Sequence, residues 1–377
     1  TKAFKATYDT DLSPGINFQY GKMTTTGGHP QEVRVGTVDP RHAQVRLKAL
    51  LSNNKVVKRD VVSQIALKKK RVGFEPRLAT NGDMSTRNRV DAYAAPHSMA
   101  VSGGELLLAQ ACSRPSLGVD AAGNVAVNRV RNQISVIPPG KTRPHVIHKV
   151  NTHRDAGLIV LYTKRFASST QTSYGGIEII LDLEGKVQAN GTQQVRVLKV
   201  RKGGGNTPLK AGQAVLSTKN PTYKWVYQLK VGQKFPLTTQ IVKQVDKPCG
   251  GTLVAAPGFD DVVEVQGGNH FTLRWGSNAA PSYNSYPAGT KRHPRSGLGV
   301  TKDGKVLMVV VDGRRSSSHG VTLKEMGQLM KSLGAVHAFN LDGGGSSVMA
   351  RYKANKDLFE VTNNPSDGRQ RPATQAF

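Results

Sequence analysis

The stretch Val306-Leu-Met-Val-Val-Val311 is an uninterrupted apolar run that ends at Asp312. A run of this kind, rich in β-branched residues, is typical of a strand that is buried on both faces. Just before it, Lys302-Asp-Gly-Lys305 separates the run from another apolar segment at 298–300. Because Asp-Gly between apolar runs is a strong turn signal, the sequence predicts a β-hairpin over 298–311.

A helix and a second buried strand follow the hairpin. Thr322-Leu-Lys-Glu325 has the pattern of a capping box, and Gly334 is a suitable stop. Between them, apolar residues recur at helical spacing: Met326, Leu329, Met330 and Leu333. Residues 335–341 are again apolar, so the unit is predicted to be strand, helix, strand.

This unit has a chemical consequence, because a strand–helix–strand connection strongly favours parallel pairing of its two strands. Parallel strands end at one edge of a sheet, where ligands usually bind. Asp312 and Asp342 each follow one of the two strands. We therefore expect the two carboxyl groups at one edge, about 5 Å apart for neighbouring strands or about 10 Å apart with one strand between them, the range of glycoside-cleaving pairs.

The second strand leads into Asn340-Leu-Asp-Gly-Gly-Gly-Ser-Ser347, which places a carboxylate, three glycines and two hydroxyls in succession. Glycines let backbone N–H groups approach a ligand without interference from a Cβ. An acid, bare amides and hydroxyls can bind a phosphate or the edge of a sugar, although glycine runs also form ordinary tight turns. The stretch alone predicts either an anion-binding site or a structural turn.

The composition is strongly basic. Lys and Arg number 53 and Asp and Glu 25, which gives 377 residues a formal charge of +28. Such a charge indicates a polyanionic partner, which could be nucleic acid, a phosphate-containing polymer, an acidic polysaccharide or an anionic membrane, and it also suits general solubility. The basic run Lys68-Lys-Lys-Arg71 is more typical of a solvated face than of a polyanion contact.

A few features of the sequence indicate where the protein is located and what its two cysteines do. No apolar run approaches the ~18 residues needed to span a membrane. The chain begins at Thr1 rather than Met, so we expect a mature secreted or cell-surface protein whose signal peptide has been removed. Cys112 and Cys249 lie in no CxxC or Cys/His cluster, which argues against structural zinc and leaves a disulfide between them open.

The rest of the chain favours β structure. Apolar alternation predicts strands at 32–38 and 44–50, and further strands are expected near 99–108, 158–162 and 177–183. The predicted fold class is α+β, a β-rich mixed-sheet domain whose strand–helix–strand unit carries the site. Residues 1–70 are predicted to form an N-terminal β-rich segment and 71–377 the main domain, with a smaller β-rich insertion at 185–245 around Arg201-Lys-Gly-Gly-Gly-Asn206.

Taken together, these motifs resemble those of the phosphodiester glycosidase family. The resemblance is tight over 290–375, at His293-Pro-Arg-Ser-Gly-Leu-Gly299, Val311-Asp-Gly-Arg314, Gly320-Val-Thr-Leu323 and the run from Asn340 to Ser347. It is looser at Thr80-Asn-Gly-Asp83, Tyr174-Gly-Gly-Ile-Glu178 and the segment from Asn363 to Pro372. Most members have Asn-Gly-Gly-Phe-Phe where this chain has Asn81-Gly-Asp-Met-Ser85.

The resemblance implies hydrolysis of a sugar 1-phosphate diester at the glycosidic carbon, which releases the sugar and leaves a phosphate monoester on the other partner. The candidate catalytic carboxylates are Asp342, Asp312 and Glu178. The candidate substrate-binding residues are Asn81, His293, Arg295, Arg314, Asn340, Gly343, Gly344, Gly345, Ser346, Ser347 and Arg371. The sequence shows no required cofactor, and a divalent metal at Asp312 or Asp342 is left open.

The leading hypothesis is therefore a secreted hydrolase that acts on phosphodiester-linked sugars of an anionic glycan or cell-wall polymer. Two alternatives are a glycoside hydrolase of an acidic polysaccharide and a non-catalytic polyanion-binding module. Specific nucleic-acid binding is not expected, because aromatic residues make up 6% of the chain and no motif interleaves them with basic residues.

Overall fold

A computed structural model describes residues 2–71, 73–85, 95–282 and 284–377 of the chain. The strands begin, in chain order, with β1 (Lys2–Ser13), β2 (Ile16–Thr24), β3 (Pro30–Val38), β4 (Leu50–Leu51), β5 (Leu78–Thr80), β6 (Ala100–Ser102), β7 (Glu105–Leu108), β8 (Arg114–Asp120), β9 (Val125–Val136), β10 (His145–Ile147), β11 (Lys149–Val150), β12 (Ile159–Thr163) and β13 (Ile177–Leu183). They continue with β14 (Gly191–Lys202), β15 (Gln213–Thr218), β16 (Lys234–Gln244), β17 (Leu253–Ala255), β18 (Val262–Gly267), β19 (Phe271–Arg274), β20 (Ser277–Asn278), β21 (Arg295–Thr301), β22 (Val306–Val311), β23 (Ala335–Asn340), β24 (Met349–Lys353), β25 (Leu358–Val361) and β26 (Gln375–Ala376). The α-helices are α1 (Val62–Leu67), α2 (Lys224–Tyr227) and α3 (Leu323–Ser332).

The first large sheet contains the predicted hairpin, which is confirmed. Its strand order is β1-β2-β3-β22-β21-β23-β19-β20. Strands β21 and β22 pair antiparallel from Arg295 opposite Val311 to Val300 opposite Val306. The turn between them uses Gly304 at φ +81°, a left-handed conformation that costs glycine little.

The predicted helix is also confirmed as α3, including its capping box. The Glu325 N–H donates to the Thr322 hydroxyl at 3.1 Å, and the Thr322 N–H donates to the Glu325 carboxylate at 2.9 Å. The helix packs Met326, Leu329 and Met330 onto one face of the first sheet. The other face of this sheet packs against strand β8 of the second sheet, so β22 is buried on both faces as predicted.

Parallel pairing of β22 with β23 was a wrong prediction. Strand β21 lies between them and is antiparallel to both, with Gly297 opposite Asn340. The hairpin turn fixes β21 on one side of β22 and β3 pairs with the other side, so β23 joins the far side of β21. The two strands still run in the same direction, and the expectation of one intervening strand is the one that the structure confirms.

The second large sheet has thirteen strands, with the main order β11-β12-β15-β13-β14-β16-β9-β8-β18-β6-β7. The pair β11–β12 is parallel and the others are antiparallel, so the sheet is mixed and the predicted β-rich α+β class is confirmed. The strands expected near 99–108, 158–162 and 177–183 are present as β6 with β7, β12 and β13. Strands β14, β15 and β16, which come from the segment 185–245 that was predicted as an insertion, are part of this sheet.

The strand predicted at 44–50 is wrong apart from its last residue, since β4 begins at Leu50. Val45, Leu47 and Ala49 are buried in the core between the two large sheets, as the alternation suggested. Residues 45–49 belong to no strand, and no described strand pairs with them. The alternation of apolar residues therefore predicted which side chains are buried, but it did not predict whether a neighbouring strand pairs with them.

Smaller elements complete the fold. Strands β25, β24 and β5 form a three-stranded sheet, β26 pairs with β4, and α1 packs on both groups. A disulfide joins Cys112 to Cys249, which settles the pairing that the sequence left open. Among the described residues, no helix is long and apolar enough to cross a membrane.

Candidate functional site

One edge of the first sheet gathers most of the predicted site. Asp312 directly follows Val311, which pairs with Arg295 on β21. On the other side of β21, the Leu341 N–H donates to the Ser296 carbonyl at 2.9 Å, and the Gly344 N–H donates to the Pro294 carbonyl at 2.9 Å. The glycine run therefore folds over the start of β21, and Asp342 lies at the same edge as Asp312.

Each glycine of the run is covered by one arginine. A Cβ added to Gly343 would lie 3.8 Å from Arg295 Cδ, and one on Gly344 would lie 3.2 Å from Arg314 Nη2. A Cβ on Gly345 would lie 2.2 Å from Arg371 Nη2 and 2.1 Å from an Asp367 carboxylate oxygen, so the ends of these two flexible side chains would have to move. Glycine at 344 and 345 thus leaves room for Arg314 and Arg371 against the turn, whereas Arg295 approaches Gly343 through its aliphatic Cδ.

The three arginines differ in how far the protein already engages them. The buried Arg295 donates to the carbonyls of Ala288 at 2.8 Å, Lys291 at 3.1 Å and Val321 at 3.2 Å. Arg371 donates from Nε at 2.8 Å and from Nη2 at 2.6 Å to the same carboxylate oxygen of Asp367, Oδ2.

Arg314, by contrast, is exposed and makes two long side-chain contacts, 3.4 Å to the Ser366 hydroxyl and 3.5 Å to His293 Nδ1. Its backbone is left-handed at φ +63°, which is uncommon outside glycine and costs free energy. The backbone of Arg314 is therefore in an unfavourable conformation, and the hydrogen bonds of its guanidinium to described residues are few and long. It is the arginine best placed to bind a ligand.

Asp342 is half-buried and held from both sides. Its N–H donates to the Gly82 carbonyl at 3.0 Å, and its own carbonyl accepts from Asn81 Nδ2 at 2.9 Å. Its carboxylate accepts the Gly343 N–H at 2.8 Å. Asn81 is buried, and its side-chain oxygen accepts from the Ser296 hydroxyl at 2.7 Å and the Val348 N–H at 3.1 Å, so its contacts fix the backbone that carries Asp342.

The amides of the glycine run are largely used within the turn. The Gly343 N–H bonds the Asp342 carboxylate and the Gly344 N–H bonds Pro294. The N–H groups of Ser346 and Ser347 return to the carbonyls of Gly343 at 3.3 Å and Gly344 at 3.1 Å. These bonds shape the turn, which leaves the arginine side chains as the main donors at its surface.

Asn340, Ser346 and Ser347 are buried under this turn. Asn340 Nδ2 donates to the Leu341 carbonyl. Among the described residues, neither the Asn340 side-chain oxygen nor the Ser347 hydroxyl has a hydrogen-bond partner. All three lie with the predicted site, below its surface.

Asp312 is fully buried beneath the site. Its carboxylate accepts from Arg34 Nη1 at 2.6 Å, from Asn363 Nδ2 at 2.9 Å and from the Asn364 N–H at 3.0 Å. Burial raises the pKa of Asp312, and the Arg34 guanidinium partly opposes that rise. Because Asn363 and Asn364 begin the segment that carries Ser366, Asp367 and Arg371, Asp312 anchors the chain that covers Gly345.

The structure does not bring Glu178 to this edge. Glu178 is fully buried on β13 in the second sheet, where it accepts from the Thr172 hydroxyl at 2.7 Å, the Ser217 hydroxyl at 3.0 Å and the Thr207 N–H at 3.2 Å. Burial acts to raise its pKa, but these hydroxyl donors outweigh it and the pKa of Glu178 is lowered. Its hydrogen-bond partners among the described residues all lie outside the glycine run and its arginines.

Two histidines flank Arg295. His293 contacts Arg314, and burial together with Arg295, Arg314 and Lys291 lowers the pKa of its imidazole. His270, which sequence reasoning missed, packs against the Tyr286 ring at 4.5 Å between centroids. Burial, followed by the charges of Arg114, Arg129 and Arg295, lowers the pKa of His270 to about 4. Both histidines are therefore neutral near pH 7, and the arginines set a positive potential around the site.

Asp83 is a second residue that sequence reasoning missed as a site candidate. It is buried, with one carboxylate oxygen accepting the Met84 N–H at 2.7 Å and the other without a partner among the described residues. The nearby Ser98 hydroxyl donates instead to the Gly268 carbonyl at 2.9 Å. Burial raises the pKa of Asp83. The signal was present in the sequence, because Asp83 stands where most members of the resembled family have glycine.

Among the described residues, no group of three or more His, Cys, Asp or Glu side chains is placed to hold a metal ion. The charged side chains gathered at this edge are carboxylates and guanidinium groups. It suits a ligand with a negative charge beside a group that a carboxylate can attack or stabilise.

Comparison with known proteins adds two kinds of result. A family model described as phosphodiester glycosidase matches residues 185–377. The SPbeta prophage-derived uncharacterized protein YomE of Bacillus subtilis (strain 168) is 41% identical over 80 residues, which are 21% of this chain and 12% of that protein. This match therefore spans about an eighth of the relative's own length.

Two solved structures share the fold. A hypothetical protein from Synechocystis superposes with a TM-score of 0.74 and 17% identity, covering 100% of this chain and 63% of that one. A Burkholderia pseudomallei K96243 protein named "Putative exported protein" superposes with a TM-score of 0.68 and 21% identity, covering 93% of this chain and 74% of that one. At these identities the similarity concerns the fold alone.

Proposed function

Because the chain belongs to the phosphodiester glycosidase family, we propose that it hydrolyses a sugar 1-phosphate diester at the glycosidic carbon. The observation that carries the proposal is that Arg314 and Arg371 lie against the glycine turn that holds Asp342, with the buried Arg295 next to it. A phosphodiester supplies a negative charge for Arg314, which has no acidic partner among the described residues. The carboxylate beside it suits the positive charge that develops on a sugar ring.

We assign the phosphate chiefly to Arg314, whose planar guanidinium can donate two parallel hydrogen bonds to phosphate oxygens. The leaving phosphate monoester needs stabilisation of its negative charge more than it needs a proton. A cation beside the turn can provide that stabilisation as the charge develops. The neutral His293 beside Arg314 can donate a further hydrogen bond and adds no competing negative charge.

Asp342 is the carboxylate that we place at the anomeric carbon, either as the nucleophile or as the base that activates water. Its half-buried position and its fixed backbone support this role. For Asp312 we propose a positioning role, because Arg34, Asn363 and Asn364 already occupy its carboxylate. Glu178, held within the second sheet, is the least favoured of the three predicted acids.

The substrate class and the location follow from broader features. The net charge of +28 favours a polymeric anion such as a phosphate-containing glycan or cell-wall polymer. The disulfide between Cys112 and Cys249 suits an oxidising compartment, and one structural neighbour carries a name that describes export. Both support a secreted or cell-surface hydrolase.

The test incubates the protein with an N-acetylglucosamine 1-phosphate diester and with phosphate-linked glycans, and it measures released sugar and new phosphomonoester. We expect both products, and a loss of at least about 10³-fold in turnover for Asp342→Asn. Asp261→Asn, an exposed change outside the site, is the matched control.

The products also separate the alternatives. Full turnover by a correctly folded Asp342→Asn variant would overturn the catalytic assignment. A new reducing sugar without phosphomonoester would favour cleavage of an ordinary glycosidic bond, and binding of polyanions without any turnover would favour a non-catalytic module.

A further inference from the structure

A second concentration of positive charge lies outside the candidate active site, in a groove next to the C-terminal end of α1. The groove consists of three adjoining cavities of about 440, 440 and 560 Å³. The first two share Lys48, Lys70 and Arg71, and the first and third share Asn54 and Arg165. We call this continuous feature the basic groove.

Nearly all of the charged residues that line the basic groove are cationic. The first cavity has six Lys or Arg residues, the second adds two more and the third adds four more. Among the described residues, the acidic ones in the lining are Glu75 and Glu105. The run Lys68–Arg71, which from sequence resembled a solvated face, forms part of this wall.

Ion pairs neutralise fewer than half of these cations. Five have an acidic partner at 2.6–2.7 Å, in the pairs Lys48–Glu264, Lys68–Asp60, Lys70–Asp357, Arg77–Glu75 and Arg165–Glu105. The other seven form no salt bridge within 4.0 Å among the described residues: Arg46, Lys55, Lys69, Arg71, Lys164, Lys186 and Lys210. Burial, with Arg165 and Arg71 nearby, lowers the pKa of Lys69, as expected where cations crowd without counter-charge.

We propose that the basic groove is a binding site for a linear polyanion, namely the phosphate-bearing chain of the polymer whose linkages the active site cleaves. The identity of that polymer as substrate rests on the proposed function, but anion binding by the groove does not. Seven unneutralised cations along a concave wall match a flexible chain that carries regularly spaced negative charges.

The lining argues against two other polyanions. Among the described residues of the three cavities, the aromatic ones are Phe74 and the buried Phe377, which do not form a series of stacking platforms for successive bases. An anionic bilayer presents a flat surface, whereas these cations line concave cavities. A flexible phosphate-linked chain satisfies the charge and the shape together.

The groove and the active site are connected through one stretch of chain. Residues 363–371 run from Asp312 past Gly345, and Gln370 then bonds the Ser63 hydroxyl on α1 at 2.8 Å. The six-residue helix α1 is about 9 Å long, and the basic run follows its last turn. A polymer held in the groove would therefore contact a part of the fold that is joined to the turn carrying Asp342 by hydrogen bonds of a single segment.

The experiment measures binding of long-chain inorganic polyphosphate over a range of salt concentrations. The groove variant combines Lys69→Gln, Arg71→Gln and Lys164→Gln, and the control variant combines Lys224→Gln, Lys230→Gln and Lys234→Gln, three exposed lysines outside the three cavities. Both variants remove three charges. We expect the groove variant to bind at least about tenfold more weakly, with a slope of log K against log salt that is shallower by about 2, and the control to match the wild type.

Equal binding by wild type and groove variant, or an equal loss in the control variant, would overturn the proposal. If the groove variant folds poorly, Lys186→Gln with Lys210→Gln gives the same test at the other end of the groove. Single-stranded DNA homopolymer or anionic vesicles that bind more tightly than polyphosphate, at equal phosphate and in a groove-dependent way, would overturn the assignment to a phosphate-linked glycan. Asp342→Asn should keep full polyphosphate binding, so failure of hydrolysis and failure of the groove are separable.

Discussion

At the scale of single residues, the side chains of the candidate site differ in the hydrogen bonds and ion pairs that they make within the protein. Arg295, Arg314 and Arg371 are the same residue type, yet carbonyls accept hydrogen bonds from the first and a carboxylate pairs with the third. Asp312 and Asp342 differ in burial, since Asp312 is fully buried and Asp342 is half-buried. Residue type identifies the candidates, and the burial and hydrogen bonds of each side chain are the basis on which we propose which of them contact a ligand.

Replacing Arg314 by lysine tests this division. Lysine keeps the charge but cannot form the planar, bidentate contact, so we expect kcat/KM on a soluble sugar 1-phosphate diester to fall by about 10–100-fold. The matched control is Arg315→Lys, an exposed neighbour outside the glycine turn, which should retain wild-type kinetics. Similar kinetics for both variants would show that Arg314 does not bind the phosphate.

At the scale of elements, local signals gave correct predictions and non-local pairing did not. The Asp303-Gly304 turn and the Thr322–Glu325 capping box are decided within a few residues, and both are present as predicted. The partner of β23 depends on which strand edge is left open after the hairpin forms, which the sequence of β23 does not encode. The shared edge of Asp312 and Asp342 was therefore predictable, whereas the sequence left open whether a strand lies between them, and β21 does.

The segment 363–371 shows the same limit within the site. Its family motif was recognisable, but its attachment was not, because Asn363 contacts Asp312 across 51 positions of sequence. His270 was missed for a similar reason, since its neighbours Tyr286 and Arg295 come from other parts of the chain. Residues whose importance arises from tertiary contacts leave little trace in a single sequence.

Asn363→Ala should detach this segment. Its side chain donates to Asp312 at 2.9 Å and to the Ser347 carbonyl at 3.0 Å, and it accepts the Met349 N–H at 2.9 Å. Losing three buried hydrogen bonds should cost about 2–4 kcal/mol of stability, and it should speed amide hydrogen exchange over 363–371.

Asn364→Ala is the control for that change. The Asn364 N–H contacts with Asp312 come from the backbone and survive, and the side chain contributes one 3.3 Å contact to Glu32. We expect less than about 1 kcal/mol of destabilisation and little change in exchange. Equal exchange in the two variants would contradict the role given to Asn363 and Asp312 in fixing the segment.

At the scale of the whole molecule, the site and the disulfide belong to different parts of the fold. The disulfide closes a loop of 137 residues, and that loop contains β8 to β16, most of the second sheet. The strands that carry Arg295, Asp312 and Asp342 lie outside it, in the first sheet. Removing the disulfide should therefore lower the stability of the protein while turnover persists.

Cys112→Ser with Cys249→Ser tests that separation. Loop-closure entropy predicts a loss of about 3–5 kcal/mol, which for a chain of 377 residues corresponds to a fall in Tm of about 4–6 °C. Hydrogen exchange should accelerate in β8 to β16 and remain slow in β21 to β23, while turnover of a soluble diester at 25 °C persists. Reduction of the wild type should reproduce the shift. An unchanged Tm would show that the second sheet holds the two cysteines together without the bond. Loss of turnover at 25 °C would show that the second sheet supports the site more directly than the contacts around Asp342 indicate.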